Sequence, residues 1–345
     1  MRIAQVSPLY ESVPPKLYGG TERVVSYLTE ALVEMGHEVY LFASGDSETK
    51  AHLIPVEEKA LRLGGQVRDS IAPHVTMAEK VAKMADEFDV IHNHIDYLLF
   101  PIARRIKTPV ITTLHGRLDL PETVKVFTEF REMPLVSISD AQRTPLPHCN
   151  WVGTVYHGLP EDLYRPGDGK GGYLAFIGRI SPEKRVDSAI RIATKAGIPL
   201  KIAAKVDPAD REYYERVIKP LLNNPLVEYI GEIGEGEKEK FLGDAIALLF
   251  PVDWPEPFGL AMIEAMACGT PVLARRRGSV PEVVDEGVTG FIFEEEEEAV
   301  PLLEKTLTLP REAVRKRFEE RFTARRMAEE YHHLYLSLTF LEKAA

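Results

Sequence analysis

Apolar positions along the chain alternate between two periods. Short apolar runs, of which Ile3 to Ser7 is the first, have the length of buried strands. Thr21 to Met35 repeats its apolar residues every three or four positions, which predicts a helix that ends before Gly36. The same patterns predict strands at residues 37–42, 90–91, 109–113, 135–138, 173–177, 200–204, 245–250 and 271–274, and helices at 75–88, 187–196, 258–268 and 324–340. This alternation predicts an α/β fold with parallel sheets covered on both faces.

Residues 158–172 interrupt the alternation because they are rich in glycine and proline and poor in apolar side chains. Such a segment is typical of a linker. A chain of 345 residues also exceeds the usual size of a single hydrophobic core. We therefore predict an N-terminal Rossmann-like domain at residues 1–165, a second one at 166–323, and a C-terminal helix within 324–345.

Composition and charge exclude several classes of protein. The net charge is −11 and the chain contains no long basic tract, which argues against nucleic-acid binding. Arg104, Arg105 and Lys107 form a small basic cluster that we interpret as a solvated helix face, so we expect no membrane association. The two cysteines, Cys149 and Cys268, are far apart and indicate a reducing compartment. We find no signal peptide and no membrane span, and we expect a soluble, cytoplasmic protein.

Two glutamates mark the strongest candidate site. Glu264 stands in the middle of a predicted helix that is apolar nearly all round, where a carboxylate needs a partner. Glu256 lies between two prolines just before that helix. The N–H groups of Phe258, Gly259 and Leu260 at the helix start favour an anion. Carboxylates beside N–H donors suit a ligand with both hydroxyls and phosphates, such as a nucleotide sugar. The structural alternative is a carboxylate satisfied by neighbouring protein groups.

A second pair of candidates follows a predicted strand. Arg179 and Lys184 lie in the loop between that strand and the next helix. Ligands of open parallel sheets bind at the carboxyl ends of strands. Two cations at this position can neutralise a diphosphate, above all when it leaves. Solvated loop cations without a role are the alternative.

Gly19 and Gly20 precede the first predicted helix and allow a phosphate to approach the backbone. A plain turn is the alternative interpretation. The segment lacks the third glycine of a dinucleotide-binding fingerprint, and a long loop separates it from the first strand. A NAD-dependent dehydrogenase is therefore disfavoured.

Three histidines lie at or beyond predicted strand ends. His92 and His94 share one face of a strand, and His115 follows the next strand. A zinc site is the alternative, but no cysteine or HExxH pattern completes it, and we expect no metal. His94 and Asp96 are further candidates because of their position at a strand end.

The segment "EPFGLAMIEAMACGTPV", with Glu256 and Glu264 separated by seven residues, closely resembles the signature of family 4 retaining glycosyltransferases. "GRISPEKR", "TTLHG", "YGGTE" and "GSVPEVV" are similar to other blocks of that family. One departure is Ser279, which stands where a second glycine is common. The resemblance spans nearly the whole chain. It implies the GT-B fold, in which two Rossmann-like domains face each other across a cleft.

The resemblance also implies roles for individual residues. Glu264 would bind the nucleotide ribose, Glu256 the sugar hydroxyls, and His115 the transferred sugar. Arg179 and Lys184 would absorb the charge of the departing diphosphate. The implied reaction is hexose transfer with retention, without a metal, a cofactor or a protein nucleophile.

Donor and acceptor follow from the family less directly. UDP-glucose is expected from its frequency in the family, and the acceptor is a small molecule or a glycan. The stretch "SPLYESVPPKLYGGTERVVSYL" is similar to bacterial enzymes that glucosylate a pterin. Gly19 and Gly20 would contact phosphate and acceptor. The final helix is implied to cross back onto the first domain.

Two other functions remain open from the sequence. A nucleotide-sugar epimerase or isomerase on the same fold would turn over the donor without an acceptor. A non-enzymatic sugar-binding protein would bind free sugar and turn over no nucleotide sugar.

Overall fold

The computed structural model describes residues 1–64 and 67–344, with side chains described as far as Phe340. The chain forms two α/β units. Unit 1 comprises Met1–Pro160 together with Ala324–Ala345, and unit 2 comprises Glu161–Thr323. The sequence placed the first boundary at residue 165. Residues 161–165 lie in unit 2 because Arg315 donates hydrogen bonds to the carbonyl oxygens of Glu161 at 2.6 Å and Tyr164 at 2.9 Å.

Within its described residues, unit 1 contains a parallel sheet with the strand order β3-β2-β1-β4-β5-β6-β7. Its strands are β1 (Arg2–Val6), β2 (Glu38–Ala43), β3 (His52–Pro55), β4 (Val90–Asn93), β5 (Val110–Thr113), β6 (Leu135–Ser137) and β7 (Trp151–Thr154). The helices that connect them are α1 (Gly20–Glu34), α2 (Ile71–Met84), α3 (Phe100–Ala103) and α4 (Pro121–Glu129).

Unit 2 contains a second parallel sheet, with the order β10-β9-β8-β11-β12-β13. Its strands are β8 (Leu174–Arg179), β9 (Leu200–Lys205), β10 (Val227–Gly231), β11 (Ala247–Phe250), β12 (Val272–Arg275) and β13 (Gly290–Phe293). Its helices are α5 (Val186–Ala196), α6 (Arg211–Tyr213), α7 (Glu235–Asp244), α8 (Leu260–Ala267), α9 (Val280–Val283), α10 (Ala299–Thr306) and α11 (Arg311–Arg321).

Each sheet has a point at which the strand order reverses. In unit 1 it lies between β1 and β4, and in unit 2 between β8 and β11. The loops that leave the carboxyl ends of two such strands diverge and open a crevice, which is where α/β sheets bind ligands. All four loops at these two positions contain, or lead directly to, candidate residues predicted from the sequence.

The last helix, α12 (Ala324–Ala344), packs within unit 1 against α1. Tyr331 and Tyr335 on its inner face are almost fully buried. Leu334 lies over Gly153 of β7 so closely that a Cβ atom there would be 3.2 Å from the Leu334 Cδ1 atom. Among the described residues, no helix combines the length and the apolar character that crossing a bilayer requires.

Four strands were not predicted. β3 and β10 lie at sheet edges and carry exposed positions, so neither presents the continuous apolar run of a buried strand. β7 is half-buried along its whole length, whereas β13 is mostly buried and as long as β12, so its length does not explain why it was missed. The helix predicted at 258–268 begins at Leu260 instead, because Gly259 adopts a left-handed conformation with φ 88°.

Most of the predicted linker at residues 158–172, from residue 161 onward, belongs to unit 2. The amides of Gly167, Gly169 and Gly171 donate hydrogen bonds of 2.9–3.0 Å to unit 2 carbonyl oxygens. The Arg311 guanidinium donates to the Gly167 carbonyl at 3.1 Å, to three further carbonyl oxygens and to the hydroxyl of Thr270. One cation therefore holds together several irregular chain segments.

We expect Arg311→Met to lower the free energy of unfolding of unit 2 by about 2 kcal/mol or more. The substitution leaves several half-buried carbonyl oxygens without a donor, and each such loss costs about 1–3 kcal/mol. Arg216→Met is the matched control, because Arg216 is exposed and, among the described residues, forms an ion pair only with Glu212, four positions earlier in the chain. It should change stability by less than about 0.5 kcal/mol in the same urea titration. Equal effects of the two substitutions would contradict the anchoring role of Arg311.

Candidate active site

The loops after β8 and β11 meet at the reversal point of unit 2. The amide of Asp253 donates to the Glu183 carbonyl oxygen at 2.8 Å, which ties the loops together. As a result, the Lys184 Nζ atom lies 2.7 Å from Glu256 Oε2. Two candidates that are far apart in the sequence thus form one ion pair.

Glu256 is engaged through only one of its two carboxylate oxygens. The side chain is almost buried, and Oε2 accepts from Lys184 and from the Trp254 indole N–H, the latter at 2.8 Å. Lys184 Nζ also lies 5.1 Å from the centre of the Trp254 ring. Oε1 has no hydrogen-bond partner among the described residues. The carboxylate is therefore held in place while one oxygen stays available for a hydroxyl donor.

Glu264, on α8, is also held through only one of its two carboxylate oxygens. It projects from α8 and is almost buried, and its Oε2 accepts from Lys238 Nζ at 2.8 Å and from the Tyr164 hydroxyl at 3.3 Å. Lys238 also pairs with Glu235 at 3.3 Å, and the single proton of the Tyr164 hydroxyl is shared between the Glu235 and Glu264 carboxylates. Glu264 Oε1 has no partner in the described part of the chain. The structural alternative of a satisfied carboxylate thus holds for one oxygen of each glutamate.

The turn into α8 depends on glycine. Gly259 has φ 88°, and a Cβ atom there would lie 2.7 Å from Met262 Cε and 2.9 Å from the Phe250 ring. The amides of the first helical turn have no acceptor inside the helix, so they are available to an anion. The sequence assigned this role to the N–H groups of Phe258, Gly259 and Leu260, of which only that of Leu260 lies within α8.

Ser279, the departure from the family pattern, secures the Glu256 loop. Its amide donates to the Glu256 carbonyl oxygen at 2.9 Å, and its hydroxyl donates to the Phe258 carbonyl oxygen at 2.7 Å. The preceding Gly278 passes so close that a Cβ atom would be 2.3 Å from the Glu256 carbonyl oxygen. Glycine is needed at 278, whereas at 279 the hydroxyl adds a hydrogen bond.

Arg179, the last residue of β8, is surrounded by carboxylates. Its guanidinium donates to Glu183 at 2.6 Å and lies 3.7 Å from Asp207 and 3.8 Å from Asp210. The sequence did not predict these partners. These three carboxylates fix the direction of the Arg179 side chain.

The histidines of unit 1 form a buried network at the reversal point between β1 and β4. His94 Nδ1 lies 2.9 Å from His115 Nε2, and His94 Nε2 lies 2.7 Å from Gln5 Oε1. His92 is hydrogen-bonded through Nε2 to the Thr113 hydroxyl at 2.7 Å and through Nδ1 to the Tyr335 hydroxyl of α12 at 2.6 Å. His92 therefore anchors the last helix, and among the described residues no group of His, Cys, Asp or Glu is arranged to hold a metal ion.

These imidazoles are neutral. Burial lowers the pKa of His92, His94 and His157 well below its ordinary value, and it lowers the pKa of His115 to about 3. His157 stacks on His115 with ring centres 5.5 Å apart. A neutral imidazole offers one donor and one acceptor, so the network can relay hydrogen bonds without carrying charge.

The remaining candidates of unit 1 are placed as follows. Gly19 is required by its own loop, because a Cβ atom would lie 2.9 Å from Pro15, and Gly20 opens α1. Glu22 in the first turn of α1 is buried and accepts from the amide of Glu11, and burial raises its pKa to about 7. Asp96 has an exposed side chain on a left-handed backbone with φ 52°.

Sequence reasoning missed the residues that hold the candidates in place. Trp254 stands two positions before Glu256, which was an available signal. Gln5 is a polar residue inside an apolar strand run, which also marks a buried partner. Tyr164 in the linker and Lys238 in an alternating run of charges gave no signal.

The two parallel-sheet α/β units have the GT-B fold, as their similarity to solved glycosyltransferases shows. The structure of AviGT4, a glycosyltransferase involved in avilamycin A biosynthesis, is similar, with a TM-score of 0.75, 25% identity and 98% coverage of both chains. Anabaena HepE in complex with UDP-glucose matches with a TM-score of 0.74 and 19% identity, over 98% of this chain and 100% of that chain.

The chain belongs to glycosyltransferase family 4. Residues 18–159 match the family described as Glycosyltransferase Family 4, and residues 166–325 match Glycosyl transferases group 1. An uncharacterized glycosyltransferase of Methanocaldococcus jannaschii is 24% identical over an alignment of 344 positions, and the match covers 84% of this chain and 84% of the relative. D-inositol 3-phosphate glycosyltransferase of Mycobacterium leprae is 31% identical over 251 residues. That match covers 59% of this chain and only 56% of the relative, so the chain spans about half of its length.

The distribution of histidines predicts a difference in acid stability between the units, since all ten lie in unit 1. Histidines held neutral by burial take up protons on unfolding once the pH falls below about 6.5. Their contribution to stability is complete above that pH and is lost as the pH falls toward the folded-state pKa. Each such histidine contributes a slope approaching about 1.4 kcal/mol per pH unit, and Glu22, whose raised pKa gives a slope of the opposite sign, offsets about one of them.

The two tryptophans allow the units to be measured separately, because Trp151 lies in unit 1 and Trp254 in unit 2. Urea unfolding between pH 6.5 and 5.5 is followed by fluorescence in Trp254→Phe, which reports unit 1, and in Trp151→Phe, which reports unit 2. We expect the free energy of unfolding to fall with decreasing pH in the first variant and to change much less in the second. Parallel slopes would contradict the assignment of the titrating groups to unit 1.

Proposed function

We propose that the protein is a retaining, metal-independent glycosyltransferase that transfers glucose from UDP-glucose to a hydroxyl of a small molecule or a glycan. The observation that carries this proposal is the Lys184–Glu256 ion pair, which places a cation and a half-open carboxylate 2.7 Å apart at the reversal point of unit 2. A cation for a diphosphate and a carboxylate for hydroxyls are the two functions that a nucleotide sugar requires. The presence of UDP-glucose in HepE, which shares the fold, supports the choice of donor.

Unit 2 binds the donor in this proposal. The open oxygen of Glu264 accepts hydrogen bonds from the ribose hydroxyls, and the open oxygen of Glu256 accepts from the sugar. The amides at the start of α8 face the diphosphate, where the positive end of the helix dipole favours negative charge. Trp254, Lys238 and Tyr164 keep the two carboxylates from turning away.

Arg179 and Lys184 stabilise the departing diphosphate. The bond from the anomeric carbon to the donor phosphate oxygen breaks, and the bond to the acceptor oxygen forms on the same face of the sugar. The acceptor proton passes to the departing phosphate oxygen, so no protein nucleophile is required. Negative charge grows on the diphosphate during this step, and preorganised cations stabilise that state more than the bound donor.

Unit 1 binds hydroxyl and phosphate groups of the substrates. His115 offers a ring nitrogen to a hydroxyl, and Gly19 and Gly20 form the loop at the start of α1. His94 supports His115 directly, and Asp96 presents an exposed carboxylate at the end of β4. These residues follow β1, β4 and β5, whose carboxyl ends meet at one edge of the sheet.

The test of this function is transfer from UDP-glucose in the presence of excess EDTA. The acceptors are a panel of small hydroxyl compounds and oligosaccharides that includes tetrahydrobiopterin. We expect UDP release that depends on an acceptor, and a product with the anomeric configuration of the donor by NMR. Activity restored only by magnesium or manganese would refute metal independence. Conversion of the donor without an acceptor would identify an epimerase or isomerase instead, and an inverted product would refute retention.

Substitutions of Glu264 and Glu256 should affect different steps, nucleotide binding in the first case and turnover in the second. We expect Glu264→Gln to weaken UDP binding about tenfold or more, because a hydrogen bond from ribose to a charged acceptor is worth about 1.5–3 kcal/mol. Glu256→Gln should leave UDP affinity within about twofold and lower turnover on the order of a hundredfold. Calorimetry with UDP and steady-state kinetics measure the two effects.

Glu304→Gln on α10 is the control for these variants, because Glu304 is an exposed carboxylate of the same unit, away from the site. It should match the wild type in both measurements. Unchanged UDP affinity in Glu264→Gln would remove the ribose role. A loss of UDP affinity in Glu256→Gln as large as its loss of turnover would make that residue a simple anchor of the nucleotide.

A further inference from the structure

The side-chain amide of Gln5 fixes which atoms donate and which accept in the histidine network of unit 1. The Gln5 side chain lies between β4 and α12, with Oε1 2.7 Å from His94 Nε2 and Nε2 3.1 Å from the Tyr335 hydroxyl. The amide nitrogen donates to that hydroxyl, which in turn donates to His92 Nδ1 at 2.6 Å. His92 Nε2 then carries the proton and donates to Thr113 at 2.7 Å. Each group on this side of Gln5 is satisfied in one consistent order.

The other side of Gln5 leads to His115. A carbonyl oxygen can only accept, so His94 Nε2 carries the ring proton and His94 Nδ1 is left as an acceptor. The neighbouring nitrogen, His115 Nε2 at 2.9 Å, must then be the donor. Because burial keeps both rings neutral, each has a single ring proton. His115 Nδ1 therefore has a lone pair and no proton.

That lone pair has no partner. His115 Nδ1 is shielded from solvent, and no described residue donates a hydrogen bond to it. A shielded acceptor without a donor is rare in folded proteins and calls for a functional explanation. The residue as a whole is only partly buried, so Nδ1 lies close to the surface of unit 1.

We propose that Gln5 and His94 are positioning residues that fix the tautomer of His115, so that its Nδ1 accepts a hydrogen bond from a substrate hydroxyl. The inference rests on the proposed function only in assigning substrate as the source of that hydroxyl. It predicts a specific preference: a substrate hydroxyl that can donate is bound, whereas an O-methyl derivative at that position is rejected. A site built around one unpaired acceptor discriminates in this way because an analogue without the donor leaves the acceptor unpaired.

The tautomer can be measured directly in the ligand-free protein by long-range ¹H–¹⁵N correlation spectra of ¹⁵N-histidine-labelled samples. We expect the wild type to show His115 protonated at Nε2 and unprotonated at Nδ1. Gln5→Leu removes the acceptor and should give a mixture of tautomers at His94 and His115. Gln5→Glu retains acceptor oxygens toward His94 and should restore the wild-type pattern. A wild-type protein with the proton on His115 Nδ1, or Gln5→Leu with an unchanged pattern, would overturn the inference.

His94→Asn and His94→Leu provide a second, independent pair of variants if the substitutions at Gln5 prevent folding. An asparagine amide oxygen can replace the His94 Nδ1 acceptor, whereas leucine cannot. Only His94→Leu should lose the single His115 tautomer, and retention of that tautomer in His94→Leu would contradict the proposal.

Kinetics then connect the tautomer to turnover. We expect Gln5→Leu to lower kcat for glucose transfer roughly tenfold, as for the loss of one hydrogen bond, with UDP affinity unchanged. Gln5→Glu should recover most of that loss. A purely structural role would instead change UDP binding, stability and kcat together. If the spectra agree with the prediction but no variant or wild type transfers glucose, the proposed function fails and the tautomer assignment stands.

Discussion

The ion pair between Lys184 and Glu256 is the constraint around which unit 2 is arranged. A carboxylate and an ammonium group removed from water are unfavourable unless both are paired and hydrogen-bonded. The structure meets this condition with the Trp254 indole on the same oxygen and with a backbone hydrogen bond that joins the two loops. The parallel sheet makes the pairing possible, because β8 and β11 are neighbours whose carboxyl ends release both loops at the same place.

Three side chains share one feature: one polar atom is hydrogen-bonded by the protein and the other is left without a partner among the described residues. Glu256 and Glu264 each give one oxygen to a lysine and an aromatic donor and leave the other oxygen open. His115 gives one nitrogen to His94 and leaves the other without a partner. A group held by one contact cannot rotate freely, yet it retains the capacity to bind a ligand. Sites built in this way need little reorganisation when the substrate arrives.

The sequence contains enough information to predict the buried parts of the fold and the residues of the main motif. β1, α1 and the strand before α8 are apolar runs of clear period, and Glu264 stands out because it is charged within such a run. The edge strands β3 and β10 are not predicted because two positions in each are exposed and the others are only half-buried. Partners are harder to predict than candidates. Lys238 reaches Glu264 across 26 positions, and Gln5 reaches His94 across 89, and such pairings exist only once the sheets have formed.

The position of α12 has a consequence for folding during synthesis on the ribosome. Unit 2 is continuous from Glu161 to Thr323, whereas unit 1 begins at the first residue and is completed by the last helix. Synthesis proceeds from the amino terminus, so every residue of unit 2 has been added to the chain before Tyr331 and Tyr335. These two hydroxyls complete the hydrogen bonds of His92 and Thr113 beneath the network that leads to His115. Until they are added, a nascent chain contains all of unit 2, whereas the histidine network of unit 1 still lacks the hydroxyl partners that α12 supplies.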